Sequence, residues 1–326
     1  MRRALRRDQQ AGVPVRPLAK VGPIPTPPVF KDDLTGGRTS MQMFANHWAD
    51  IDAERMERYE TMFRWNPATE HFYAAAMIGE GHQIADFGCG PGHAAIEFAK
   101  RVGPTGHVDA FDINEEFVRR TRVRADQQAL GSRISTHLLQ DWRLPLDAMS
   151  LDRVVARNTV IYVADPVATF SEFRRVLRPG GIAHVIEGDW RLTAVEPVQT
   201  AEWRALIEAA SWAWSRPEIG RQLYGIARQA GFDQILLQIL TSPDTDGRLL
   251  GMIQTVAGYA RERGEMDGRR IDAILEMAEA AIPNGTYLAI SPQGTVAATV
   301  EAAGSSEDGG PSIGNHDIRV IAQRDR

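Results

Sequence analysis

Most of the recognisable chemistry of this chain lies in one run of eight residues, Asp86-Phe87-Gly88-Cys89-Gly90-Pro91-Gly92-His93. The run follows an apolar stretch and leads into an apolar-patterned helix over residues 94–101. Three glycines at alternate positions let the backbone turn sharply and lie close to a ligand, because no Cβ stands in the way. The helix start behind them offers free N–H groups and the positive end of its dipole. Asp86, at the strand end, argues against a pyrophosphate on this loop and for a ligand that presents an amine or a hydroxyl. The dinucleotide fingerprint, G-x-G-x-x-G/A, is the nearest competitor, and it fails because its third position falls on His93. A tight strand–helix turn with no ligand is the bland alternative. Against it stands a second acid: Asp112 ends a short strand 20 residues after Gly92. That spacing suits a carboxylate accepting hydrogen bonds from ribose hydroxyls. Asp109 alternates with Asp112 in the same strand and reads as a solvated edge residue.

The spacing D-x-G-x-G-x-G resembles motif I of class I S-adenosylmethionine (SAM) dependent methyltransferases. The resemblance implies that Gly88, Gly90 and Gly92 pass the methionine part of SAM and that Asp86 helps orient it. It also implies that Ile113, beside Asp112, lies on the adenine. Leu138-Leu139-Gln140-Asp141-Trp142 ends a third strand. There the resemblance implies Asp141 at the adenine amino group and Trp142 against the ring, although Trp142 also reads as a core tryptophan. Asn158, at the end of a fourth strand, would stand beside the methionine. Its neighbour Arg157 reaches a carboxylate, or else makes a surface or ion-pair contact. Phe173-Arg174-Arg175-Val176-Leu177-Arg178-Pro179-Gly180-Gly181 ends a helix and opens a fifth strand. Proline stops the helix and the glycines make the turn. This string closely resembles the R-x-L-R/K-P-G-G segment of the subgroup that includes ubiquinone and menaquinone biosynthesis methyltransferases. The likeness covers residues 60–190 well and the remainder only as a pattern of elements.

The elements that must position these residues follow from pattern and composition. Strand–helix alternation over 83–187 marks a parallel sheet with helices on both faces. The expected class is α/β, a Rossmann-like seven-stranded class I methyltransferase sheet with helical lid insertions. Residues 232–240 are the expected sixth strand. Residues 287–300 are the expected seventh, paired with the sixth as an antiparallel edge. A ligand should sit beyond the carboxyl ends of the strands, and every motif above lies at such an end. The expected organisation is an extended or disordered arm over 1–40, capping helices over 41–80, and a SAM-binding core over 81–190. The rest of the core follows over 191–302, with lid insertions at about 195–215 and 248–282, and then a flexible tail over 303–326. The Arg- and Pro-rich start also has a transit peptide as an alternative.

The chain has 326 residues, 43% of them hydrophobic, and a net charge of −5. That length supports one large domain, or one with an added subdomain. The acidic balance gives no basic stripe for nucleic acid. A single cysteine, Cys89, excludes a disulfide framework or a cysteine-rich metal site and fits a reducing cytoplasm. No metal is expected. No apolar run approaches the length of a membrane span.

Methyl transfer from a sulfonium is an in-line displacement in which the protein mainly aligns the partners and excludes water. A general base is needed only where the acceptor must lose a proton. Glu187 and Asp189, at the end of strand five, are candidates for a base or a substrate contact, or are solvated loop acids. His184 reads as a core histidine. His93 touches the cofactor carboxylate or caps its helix, and His47 and His71 are further base candidates. Trp190, Trp203, Trp212, Trp214, Tyr224 and Tyr259 suit a flat or lipophilic acceptor, or serve packing. The expected function is methyl transfer from SAM to a small organic acceptor at O, N or C, leaving S-adenosyl-L-homocysteine. A secondary metabolite or quinone-like compound is the expected acceptor. The expected partners are that acceptor and no nucleic acid, and a homodimer is compatible with the sequence. The alternatives are a non-catalytic SAM-binding regulatory subunit and an RNA or protein methyltransferase. A nicotinamide dehydrogenase is disfavoured by His93.

Overall fold

The computed structural model describes Trp48 and residues 51–301. The expectations for an arm over 1–40, for a tail over 303–326 and for His47 lie outside the described residues. The strands, in chain order, are β1 (Gln83–Phe87), β2 (His107–Asp112), β3 (Ile134–Leu138), β4 (Leu151–Arg157) and β5 (Leu177–Gly188), followed by β6 (Ala194–Glu196), β7 (Gln234–Leu240), β8 (Leu288–Ile290) and β9 (Gln293–Thr299). Seven of them form one sheet in the order β3-β2-β1-β4-β5-β9-β7. The first five run parallel, and β9 runs antiparallel to both of its neighbours. The central β1 is buried almost throughout, as a parallel strand covered on both faces must be.

The helices are α1 (Ala53–Met62), α2 (His93–Val102), α3 (Glu115–Gln127), α4 (Pro166–Val176), α5 (Thr200–Ala210), α6 (Ile219–Gln229), α7 (Leu250–Arg263) and α8 (Gly268–Ala281). Local chemistry sets their starts. The Asn114 side chain accepts from the Phe117 N–H at 2.9 Å and opens α3 directly after β2. Asp165 caps α4 in the same way, with Pro166 at the first helical position, where its missing N–H costs nothing. The end of β2 is thereby turned at once into a helix, as is that of β1 through the glycine turn, and these loops gather along one edge of the sheet.

The sixth and seventh strands pair as the expected antiparallel edge, with one change. The seventh strand is inserted between β5 and β7, so the sixth, β7, forms the edge. The change is that the run 287–300 splits in two, because Pro292 has no N–H to donate and its carbonyl accepts from Asp189 N instead. The first piece, β8, leaves the main sheet and pairs antiparallel with β6.

The capping segment differs as well. Among the described residues, α1 is the α-helix of the capping segment, and the residues after it form a 3₁₀ helix, Pro67–Ala76, in place of a second α-helix. His184 ties that 3₁₀ helix to the sheet, with Nε2 2.7 Å from the Phe72 carbonyl and Nδ1 3.1 Å from that of Val296. It is a buried core histidine whose pKa is pushed down by burial.

The insertions do not share one role. Helix α5 packs on α7 and α8, and Trp203, Trp214 and Tyr259 are buried in the larger of the two principal cores. Trp190 stacks on Trp214 at 4.9 Å, and the Trp212 indole donates to the Tyr259 carbonyl at 3.0 Å. These aromatics fill the space between helices, where a flat apolar side chain is most stabilising. No described helix is long and apolar enough to cross a membrane.

Candidate functional site

A crevice of about 1320 Å³ opens beyond the carboxyl ends of β1, β2 and β4. Single small-molecule sites commonly occupy about 300–1,000 Å³, so there is room for a cofactor and a second molecule. The floor is the ends of β1 and β4 with the loops after β2 and β3. The roof comes from α1, the residues that follow it and the 3₁₀ helix 67–76. The far wall is the segment 242–252, which includes the first turn of α7, with Ser291 and Gln293.

At the β1 end the three glycines do three different things. Gly88 has φ +80°, and a Cβ there would fall 2.1 Å from Thr159 Oγ1. Gly90, at φ +53°, faces the crevice, where a Cβ would meet only the ring of Phe63, at 3.7 Å. Its N–H donates to Asp112 Oδ2 at 2.8 Å. Gly92 (φ +85°) starts α2, and a Cβ would fall 2.5 Å from the Thr121 hydroxyl of α3. Gly92 does not line the crevice. Its missing side chain serves helix packing, which sequence spacing does not distinguish from ligand approach.

Asp86 is 4% exposed and lines the crevice, and its Oδ2 has no hydrogen-bond partner among the described residues. Burial, and then the nearby Asp112, raise its pKa to about 7. A buried carboxylate oxygen left without a donor is costly, so a ligand N–H or O–H placed there is favoured. Asp112 is better supported, with Oδ1 accepting from Asn114 N at 2.9 Å and Oδ2 from Gly90 N. Burial raises it to about 6, and these amides oppose the shift. Both carboxylates keep acceptor capacity. Ile113, Leu139 and Trp142 add an apolar surface to the lining.

Asp141 stands apart. It is exposed, accepts from Arg143 N at 3.0 Å and does not line the crevice. The chain turns at that hydrogen bond, which sends Trp142 inward and the carboxylate outward. Asn158 lines the crevice in a left-handed conformation, φ +53°.

Glu187 and Asp189 do not line the crevice either. Glu187 is fully buried, and its Oε1 accepts from Thr159 N at 2.8 Å and Val160 N at 2.6 Å. Burial raises its pKa to about 8, against the pull of those amides. Asp189 caps the 3₁₀ turn Trp190–Leu192 through Arg191 N and Leu192 N, and it pairs with Arg221. Its lone pairs are committed to structure. His93 lines the crevice and contacts Glu60 at 3.0 Å, with its pKa pushed down by burial.

The roof is formed by the capping segment through Arg58, Phe63, Trp65, Phe72 and Tyr73, of which sequence reasoning could not say which face the site. Their signal was present as aromatic residues at helical spacing, a pattern that core helices share.

Residues 84–181 match the family described as methyltransferase domain. The chain is 33% identical over 114 residues to the ubiquinone/menaquinone biosynthesis C-methyltransferase UbiE of Cupriavidus necator, covering 35% of this chain and 46% of that protein. It is 30% identical over 179 residues to sterol 24-C-methyltransferase ERG6B of Gibberella zeae, covering 54% and 46%. The chain thus spans less than half the length of these curated relatives. Among solved structures, phosphoethanolamine N-methyltransferase 2 of Haemonchus contortus, in complex with S-adenosyl-L-methionine, superposes with a TM-score of 0.52 at 17% identity, covering 81% of this chain and 61% of that one. That likeness is one of fold. Strand order, glycine turn and family match together make residues 84–181 part of a class I SAM-dependent methyltransferase domain.

Proposed function

We propose that this protein transfers a methyl group from SAM to a small organic acceptor bound in the same crevice. The observation that carries the proposal is the unpartnered Asp86 oxygen facing a crevice that Asp112 also lines. These residues fit the cofactor chemically. Asp86 accepts from its ammonium, Asp112 from its ribose hydroxyls, and Ile113, Leu139 and Trp142 flank its base. Gly88 and Gly90 leave the backbone close to the ligand, and Asn158 offers its amide to the methionine end. When bound, the cofactor supplies a methyl group already activated by the positive charge on sulfur.

The chain's remaining work is alignment and the exclusion of water. The aromatic roof performs both: Phe63, Trp65, Phe72 and Tyr73 cover the space beside the glycine turn. The similarity to quinone and sterol C-methyltransferases, together with this roof, supports a flat or lipophilic acceptor of the secondary-metabolite or quinone class. Purified protein incubated with methyl-labelled SAM and a panel of such acceptors is expected to release S-adenosyl-L-homocysteine with transfer of label. Binding of SAM without turnover on any acceptor, in the presence of cell-derived metabolite pools, would favour a regulatory subunit instead.

A further inference from the structure

The crevice is lined by a cation to which the cofactor contacts above assign no role. Arg157 ends β4, beside Ile186 of β5 in the sheet register, and lines the cavity. Its guanidinium lies over two roof rings, 5.1 Å from the centroid of Phe72 and 5.6 Å from that of Tyr73. Nη1 donates to the Tyr73 hydroxyl at 3.2 Å. The opposite edge is unused: Nε is buried with no partner, and Nη2 donates to no described residue. No described acid forms an ion pair with Arg157. Arg157 acts on Glu187 at a distance and helps to lower its pKa, but Glu187 accepts from the Thr159 and Val160 amides through Oε1 and, on balance, is raised to about 8 by burial. By contrast, Arg248 on the far wall is paired with Asp244 at 3.3 Å.

An arginine is always charged, and its Nε–Nη2 edge carries two parallel N–H groups that match the two oxygens of a carboxylate. Stacking on Phe72 and Tyr73 fixes the plane of that edge before any ligand arrives. We propose that Arg157 anchors a carboxylate on the methyl acceptor, so that the substrate is an aromatic or otherwise flat acid. This rests on the methyltransferase reading above. The body of such an acid would lie along Trp65, Phe72 and Tyr73, which line the crevice beside Arg157.

Benzoate and its neutral isostere benzamide are suitable probes, titrated by ligand-observed NMR with and without S-adenosyl-L-homocysteine. Wild-type protein should bind benzoate at least about tenfold more tightly than benzamide, the scale of a charge-assisted pair. Arg157→Gln should abolish that preference while holding affinity for S-adenosyl-L-homocysteine within about twofold, and Arg157→Lys should restore part of it, as a point charge without the fork. Equal binding of the two probes, no binding of benzoate at millimolar concentration, or an undiminished benzoate preference in Arg157→Gln would overturn the assignment. So would a large loss of S-adenosyl-L-homocysteine affinity in that variant, which would put the arginine on the cofactor. Should the variants not fold, the wild-type comparison decides alone. Failure of wild-type protein to bind S-adenosyl-L-homocysteine would overturn the methyltransferase reading, and the cofactor-free titration would still decide the role of Arg157.

Discussion

Asp86 and Asp112 sit at strand ends with their carboxyls raised to about 7 and about 6, both chiefly by burial. In the unfolded chain each ionises near 3.8. The stability these groups contribute by staying protonated is therefore fully present below about pH 4 and is lost as pH rises through about 6 and 7. A cationic ligand has the opposite preference, because its ammonium favours ionised Asp86. SAM should accordingly bind more tightly as pH rises from about 6 to about 8, releasing protons as it does so. Calorimetry in two buffers of different ionisation enthalpy would detect those protons, and an affinity indifferent to pH would take Asp86 out of the site. Asp112→Ala should weaken SAM binding by about 1.5–3 kcal/mol, the worth of hydrogen bonds to a charged group. Gly88→Ala meets both a positive φ and the Thr159 side chain, so loss of binding should accompany it.

At the scale of elements, the short segment between β4 and its following turn is held from below. Glu187 anchors Thr159 and Val160 by their amides, and these directly follow Asn158 of the crevice wall. Glu187, a candidate from the sequence for a base, a substrate contact or a solvated loop acid, holds that turn in position. Glu187→Ala would orphan two amide donors, one of them buried, and should cost about 1–3 kcal/mol for each buried donor left unsatisfied. Glu187→Gln keeps an acceptor for both and should be much milder. Urea denaturation of the two variants checks this, and equal stability would remove the positioning role. The strands and the glycine turn were legible because they rest on local signals, namely apolar runs, a helix cap and a proline stop. The destinations of Asp141, Asp189 and Gly92 were not, since each depends on a hydrogen bond or a helix contact far away in sequence or hidden in a loop. Glu187 illustrates the limit. Its place at the end of β5 was readable, but the donors that claim it come from the neighbouring β4 loop.

For the molecule as a whole, burial is divided between cores on the two sides of the sheet, and the crevice lies at the sheet's carboxyl edge beneath a roof from α1 and the 3₁₀ helix 67–76. The tryptophans around α5, read either as acceptor contacts or as packing, went into the larger core, since periodicity marks a buried face without saying what buries it. Of the later insertion, the start of α7 borders the crevice, where Arg248, Leu249, Gly251 and Met252 line it. A ligand gripped by floor and roof together should stabilise the whole fold by mass action, so that saturating SAM at about 100 times its Kd adds about 2.7 kcal/mol. The most direct test of the central claim is titration of S-adenosyl-L-homocysteine into wild-type protein and Asp112→Ala at pH 8. One molecule should bind per chain in the wild type, with affinity falling roughly ten- to a hundredfold in the variant. No binding, or equal binding by both proteins, would contradict the account.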